Sequence, residues 1–241
     1  MAHFVFIRHG ESVLNVENRQ VRVFCGQAET PLTERGREQA RVVGKQLAAR
    51  NDLVLTTAIS SALERASQTL DLMLSELACT TGQPVWSNSA PIPARCGGAA
   101  SVAAQPPHVA RRLPDSPALN ERSLGLFDGC RAPDVYAQHP EYRDDPALNQ
   151  FDNHFTQKAP GGENLREVTE RAWPVIEELD RSYAGDILIV SHHTAIRCVL
   201  GRALGLPDET VRRIRVPHTV PIIVERGGSY RLVEGLELPD G

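Results

Sequence analysis

The sequence predicts an α/β protein: a three-layer sandwich in which a mostly parallel central sheet is flanked by helices on both faces. Short apolar runs of strand length alternate along the chain with longer stretches whose apolar residues recur every three or four positions. A helix between successive strands gives each crossover the length that parallel pairing needs. The 241 residues, 41% of them hydrophobic, can close a sizeable core, which excludes a disordered chain.

The strands are expected at Phe4 to Ile7, Leu53 to Leu55, Ile187 to Val190 and Ile222 to Val224, with a weaker one around Tyr230 to Val233. Between them, Ala40, Val43 and Leu47 after Thr33 mark one helix, and Leu63, Ala66, Leu70, Leu74 and Leu77 after Ser61 mark a second. A third carries Leu165, Val168, Ala172, Val175 and Leu179, with a kink or break expected at Pro174. Ile196, Val199, Leu200 and Ala203 mark a fourth. Cys79 to Pro117 is rich in Ala, Pro, Gly and Ser and lacks periodicity. It is expected to be an irregular, lid-like insertion, about 79–117, in one domain spanning 1–241 that borders the functional pocket and tunes it.

With 26 Lys+Arg against 30 Asp+Glu, a net charge of -4, the chain has no field that would draw nucleic acid or an anionic membrane. No segment approaches the roughly 20 apolar residues of a membrane span, so a cytoplasmic location is expected. Cys25, Cys79, Cys96, Cys130 and Cys198 are scattered and odd in number, and are read as free thiols.

The first strand runs into Arg8-His9-Gly10-Glu11-Ser12 and the Ile187 strand into Ser191-His192-His193-Thr194. As parallel members of one sheet, both would deliver their residues to the edge where such sheets bind ligands. Arg65, just inside the helix after Ser61, would reach the same edge. Guanidinium groups beside imidazoles suit a phosphate or carboxylate and repel a metal cation.

These residues resemble a known family. Arg8-His9-Gly10-Glu11-Ser12 with Asn15, Cys25-Gly26, Pro31-Leu32-Thr33-Glu34-Arg35-Gly36, Leu119-Asn120-Glu121-Arg122, Pro160-Gly161-Gly162-Glu163-Asn164 and Val190-Ser191-His192 follow the order of the histidine phosphatase superfamily, the phosphoglycerate mutase-like proteins. The resemblance implies that His9 is the nucleophile and becomes phosphohistidine, while Arg8, Arg65 and His192 bind the transferring phosphoryl group. It implies that Glu121 protonates the leaving oxygen and later activates water, with a raised pKa that keeps its proton. His9 would have to be neutral, and His192 would serve best protonated. Asn15, Gly26, His193 and Arg197 fall at substrate-binding positions. No metal and no cofactor are implied. The partner is a small phosphorylated substrate, and the protein is expected to be a monomer or homodimer.

Departures separate the branches. Leu124 stands where a mutase carries Tyr, and Ala132 to Phe155 holds no Arg-Arg pair, only Arg143. His192-His193-Thr194-Ala195-Ile196-Arg197 and Val216-Pro217-His218-Thr219-Val220 look more like fructose-2,6-bisphosphatase and the broad phosphatases. There, however, a substrate-binding Arg and Lys align with Gln150 and His154, and His193 replaces Gln. A phosphatase acting on a sugar phosphate or phospho-acid is therefore expected. The alternatives are a cofactor-dependent phosphoglycerate mutase, a metallohydrolase using His9, His192 and Glu121, and a non-catalytic phosphate-binding regulator. His3, His108, His139, His154 and His218 are read as surface or packing histidines, with His154 the best placed of them to touch substrate. Arg111-Arg112 and Arg212-Arg213 with Arg215 are read as solvated faces.

Overall fold

The computed structural model describes residues 1–81, 85–87, 90–92 and 111–239. Its strands are β1 (Ala2–Arg8), β2 (Leu55–Ser60), β3 (Val85–Ser87), β4 (Ala90–Ile92), β5 (Arg111–Arg112), β6 (Asp186–Ser191), β7 (Ile222–Arg226) and β8 (Arg231–Glu234). The helices are α1 (Val13–Glu17), α2 (Glu34–Ala48), α3 (Glu64–Thr81), α4 (Ala132–Gln138), α5 (Glu141–Asp144), α6 (Leu165–Ser182), α7 (His193–Leu204) and α8 (Asp208–Arg213). The strands form one sheet in the order β4-β3-β5-β2-β6-β1-β7-β8. Its centre, β5-β2-β6-β1, is parallel, while β4 and β7 run against their neighbours.

Side-chain alternation along the central strands divides the core into layers. Val5 and Ile7 of β1, with Leu188 and Val190 of β6, pack against the apolar faces of α2 and α3. Phe4, Phe6, Ile187 and Ile189 point the other way, onto α6 and α7. These eight residues are at most 2% exposed, and each contributes roughly 1.5–3 kcal/mol by leaving water. Helix starts are set locally. Thr33 caps α2 by accepting from the Gly36 amide at 3.0 Å, and Asn164 with Glu167 forms a reciprocal capping box on α6.

Three expectations need correction. The second strand begins at Leu55 and runs to Ser60, beyond the Leu53 to Leu55 run. Its second half, Thr57 to Ser60, hides hydroxyls in the sheet: Ser60 Oγ donates to Asp115 at 2.6 Å, so a polar residue is fully buried. Helix α6 continues through Pro174, and Ile176 takes the buried position expected of Val175. The stretch from Cys79 to Pro117 is not irregular at its described ends. Helix α3 reaches Thr81, and β3, β4 and β5 extend the sheet edge, each too short to show a period in sequence. The rest of that stretch, and with it the expected lid and His108, lies outside the described residues. Among the described residues, Cys25, Cys79, Cys130 and Cys198 form no disulfide.

Candidate active site

Because β2, β6 and β1 are parallel neighbours, their carboxyl ends deliver Ser61, His192 and Arg8-His9 to one edge of the sheet. The His9 amide donates to Ser191 O at 3.0 Å, continuing the pairing one residue past the strand. The His9 and His192 rings lie 5.0 Å apart, as the convergence of the two motifs requires.

His9 is buried, and its tautomer follows from its bonds. Nδ1 lies 2.7 Å from Gly10 O, an atom that can only accept, so Nδ1 carries the proton. Nε2 is then a lone pair, and it accepts from Arg65 Nε at 3.3 Å. Burial, reinforced by His192, Arg65 and Arg8, pushes the His9 pKa well below the usual histidine value, so the ring is neutral near pH 7. The neutral ring expected of His9 from the sequence is present.

Arg65 is 2% exposed and spends its remaining nitrogens on two carbonyls, Ala28 O and Gly26 O, each at 2.8 Å. Gly26 has φ +44°, and a Cβ there would stand 1.6 Å from Asp128 Oδ1. It lines the cavity and also aims Arg65. Arg8 donates to Val216 O at 2.9 Å through Nη1, and its Nε is buried without a partner. Desolvation lowers the Arg8 pKa to about 10, which leaves it charged at neutral pH.

His192 is fully buried behind His9, with Nε2 2.7 Å from Ser61 Oγ and Nδ1 unpartnered. The expectation of a protonated His192 is not met. Burial first, then the charges of Arg65, Arg8 and Arg171, hold its pKa well below the ordinary value. Ser61 Oγ also lies 3.0 Å from Asn120 Oδ1. Its single proton therefore decides which nitrogen of His192 carries hydrogen.

Glu121 enters from the loop after Leu119, half-buried. Oε1 accepts from the Arg122 amide at 2.8 Å, and the Thr194 amide, at the start of α7, lies 3.2 Å and 3.3 Å from its two oxygens. Asn15 closes the capping box of α1 through Oδ1, which accepts from the Ser12 amide at 3.0 Å. This leaves its amide nitrogen as the donor available to a ligand.

Arg8, His9, Asn15, Gly26, Arg65 and Glu121 line one cavity of about 510 Å³, with His193 and Arg197 on its wall as expected. That size suits a small metabolite. Gln150 and His154 do not line it. His154 Nδ1 instead accepts from the Thr156 and Gln157 amides, each at 3.2 Å.

Sequence reasoning missed other residues. His218 is no mere packing histidine: its Nδ1 lies 2.6 Å from His9 O, and the two rings meet edge to face at 5.3 Å. Burial lowers its pKa to about 4. Arg215, read as solvated, lines the cavity with Arg122, Asp152 and Asn153. Arg112, also read as solvated, is 9% exposed and paired with Asp71 and Asp115. The Val216-Pro217-His218-Thr219-Val220 resemblance was the available signal for His218. Nothing in the sequence separates Arg215 from its solvated neighbours.

Comparison with known proteins bears on this site. Residues 4–84 and 95–237 match the family described as the histidine phosphatase superfamily (branch 1). A 2,3-bisphosphoglycerate-dependent phosphoglycerate mutase 2 from Gloeobacter violaceus is 28% identical over 230 residues, covering 93% of this chain and 86% of its own length. Among solved structures, a putative alpha-ribazole-5'-P phosphatase from Escherichia coli superposes with a TM-score of 0.70 at 23% identity, covering 98% of this chain and 96% of that one. Mycobacterial glucosyl-3-phosphoglycerate phosphatase does so with a TM-score of 0.68 at 22% identity, covering 98% and 100%. With a match that spans both histidine-bearing strands and the acid between them, the chain belongs to the histidine phosphatase superfamily.

Proposed function

We propose that the protein is a phosphatase that hydrolyses a small phosphorylated metabolite through a phosphohistidine on His9. The observation that carries this reading is the His9 ring, fixed by Gly10 O as the tautomer whose unprotonated Nε2 faces the buried guanidinium of Arg65.

In the first half-reaction His9 Nε2 attacks phosphorus, and the bond from phosphorus to the ester oxygen breaks. The leaving oxygen takes a proton from Glu121. In the second, water attacks the phosphohistidine, Glu121 takes its proton, and the bond from Nε2 to phosphorus breaks to free phosphate and restore the ring. Arg8 and Arg65 stabilise the equatorial oxygens, since phosphoryl transfer needs preorganised positive charge more than covalent assistance. Ser61 directs the proton of His192: if its hydroxyl donates to Nε2, the Nδ1 proton becomes a donor for the phosphoryl group. Neutral His192 can fill that role without adding like charge beside His9.

A mutase reading is favoured by the curated relatives, and one experiment separates the two. The protein is mixed with 3-phosphoglycerate and 2,3-bisphosphoglycerate, and 2-phosphoglycerate is measured against free phosphate. Release of phosphate without isomer supports the phosphatase. Isomer in excess of phosphate overturns it in favour of a mutase. Acid-labile phosphate on His9 after rapid quench, lost in His9→Ala, tests the shared intermediate. Its absence with every ester tried would leave the non-catalytic regulator. The metallohydrolase reading needs a cluster of potential ligands, and among the described residues no group of three His, Cys, Asp or Glu is arranged to hold an ion.

A further inference from the structure

Neither Glu163 nor Arg171 lines the cavity, yet the two form a fork-to-fork ion pair, with Arg171 Nε 2.6 Å from Glu163 Oε1 and Nη2 2.9 Å from Oε2. Their other side-chain hydrogen bonds all go to one stretch of backbone, the loop that carries Glu121. Arg171 Nη1 donates to Ala118 O at 2.8 Å and Nη2 to Glu121 O at 3.0 Å, while Glu163 Oε2 accepts from the Ser123 amide at 2.8 Å. Glu163 also gives its own amide to Ser123 O at 2.8 Å, so it holds Ser123 by both its N–H and its carbonyl. Glycines on both sides make this approach possible. A Cβ on Gly162 would stand 2.9 Å from Ser123 O, and one on Gly125 would stand 2.1 Å from Pro160 O.

From another direction Gln27 Nε2 donates to Glu121 O at 2.9 Å, so both lone pairs of that carbonyl are taken. With its backbone fixed, the Glu121 side chain keeps only its own rotamers, and its carboxylate meets the Thr194 amide two residues past His192. The acid is thereby located against α7 by its carboxylate and against α6, through Arg171, by its backbone. A general acid works only within hydrogen-bond reach of the oxygen it protonates, and a misplacement of about 1 Å costs on the order of a hundredfold in rate.

We propose that Glu163 and Arg171 are positioning residues for the general acid: their ion pair straps the loop from Ala118 to Ser123 onto α6 and fixes where the Glu121 carboxyl group meets the leaving oxygen. This rests on the phosphatase reading and gives the Pro160-Gly161-Gly162-Glu163 segment a part in it. Such a role differs from a merely structural one in what it spares, because loosening the loop slows only a step that needs the proton.

Phenyl phosphate and p-nitrophenyl phosphate separate the two roles: they share a shape, but phenoxide is the more basic leaving group and depends more on the proton from Glu121. Single-turnover formation of phosphohistidine is measured by rapid quench on the full-length protein. In Arg171→Gln one neutral amide cannot span Glu163 and two carbonyls, so the rate from phenyl phosphate should fall about 10–100-fold, against less than about threefold from p-nitrophenyl phosphate. KM for p-nitrophenyl phosphate should stay within about twofold, since neither residue lines the cavity. Glu163→Gln keeps size and polarity, but its amide nitrogen cannot accept, so either the Ser123 amide or Arg171 loses its partner. The same selective loss, at least about fivefold, is expected there, and this variant decides the question alone if Arg171→Gln does not fold. Losses equal on the two esters, losses larger on p-nitrophenyl phosphate, or rates within about twofold of the unaltered protein on both would overturn the positioning role and keep the phosphatase. An unaltered protein that forms phosphohistidine from neither ester would sink the phosphatase reading, and the positioning role with it.

Discussion

Four histidines meet in or behind the cavity, and burial is the first cause of a lowered pKa for every one of them: His9, His192, His193 and His218. In the unfolded chain each would titrate near 6.5, so as the pH falls below that value the unfolded state takes up protons that the folded state refuses. Stability is therefore complete above about pH 6.5 and is lost as the pH falls toward the folded-state values, which for His218 is about 4. At pH 5.5 each such histidine costs about 1.4 kcal/mol, one pH unit of linkage. With a discount for the partial exposure of His193 and His218, the set costs about 3–5 kcal/mol between pH 7.5 and 5.5. That is a large part of the 5–15 kcal/mol by which a domain is ordinarily stable. The acidic groups with lowered values, such as Glu11, titrate below this window. Urea unfolding in a buffer free of phosphate, which would bind and stabilise the folded state, should show the loss at unchanged m-value. His193→Gln should recover about 1 kcal/mol of it, less than a fully buried ring because His193 is partly exposed. A fall of less than about 1 kcal/mol would mean that these rings protonate as freely in the folded protein as in the unfolded chain, and the assignment of neutral His9 would fail with it.

Ser61→Ala removes the hydroxyl partner of His192 and leaves both nitrogens of a fully buried ring unpaired. A loss of about 2 kcal/mol, or 4–8 °C in Tm, is expected, and phosphohistidine formation should slow at the same time. Glu121→Gln should lower kcat on alkyl phosphates by about 10²–10⁴ and by much less on p-nitrophenyl phosphate, whose leaving oxygen needs no proton; equal losses would remove Glu121 as the acid. Gly36→Ala would gain about 1 kcal/mol of helix propensity. Its Cβ, however, would stand 2.0 Å from Glu11 O, on the backbone two residues past His9, so net destabilisation of about 1–3 kcal/mol is expected by calorimetric melting.

Local chemistry made much of this protein readable in its amino acids. The periods of the apolar positions placed β1, β6, β7 and four helices, because one-sided burial imposes a spacing on each element. Arg8-His9 and His192 at the ends of two parallel strands located the site, since such strands share a ligand-binding edge. Other features depend on partners distant in sequence. The second half of β2 was missed because its buried hydroxyls are satisfied by Asp115 and by backbone, a satisfaction no local pattern reveals. His218 reaches His9 across 209 residues, and its role follows from that one contact. Arg215 looks like an ordinary solvated residue until the fold places it on the wall of the cavity. The neutrality of His192 was likewise decided by tertiary structure: charge state depends on desolvation and on neighbouring charges, and both exist only once the chain has closed around the ring.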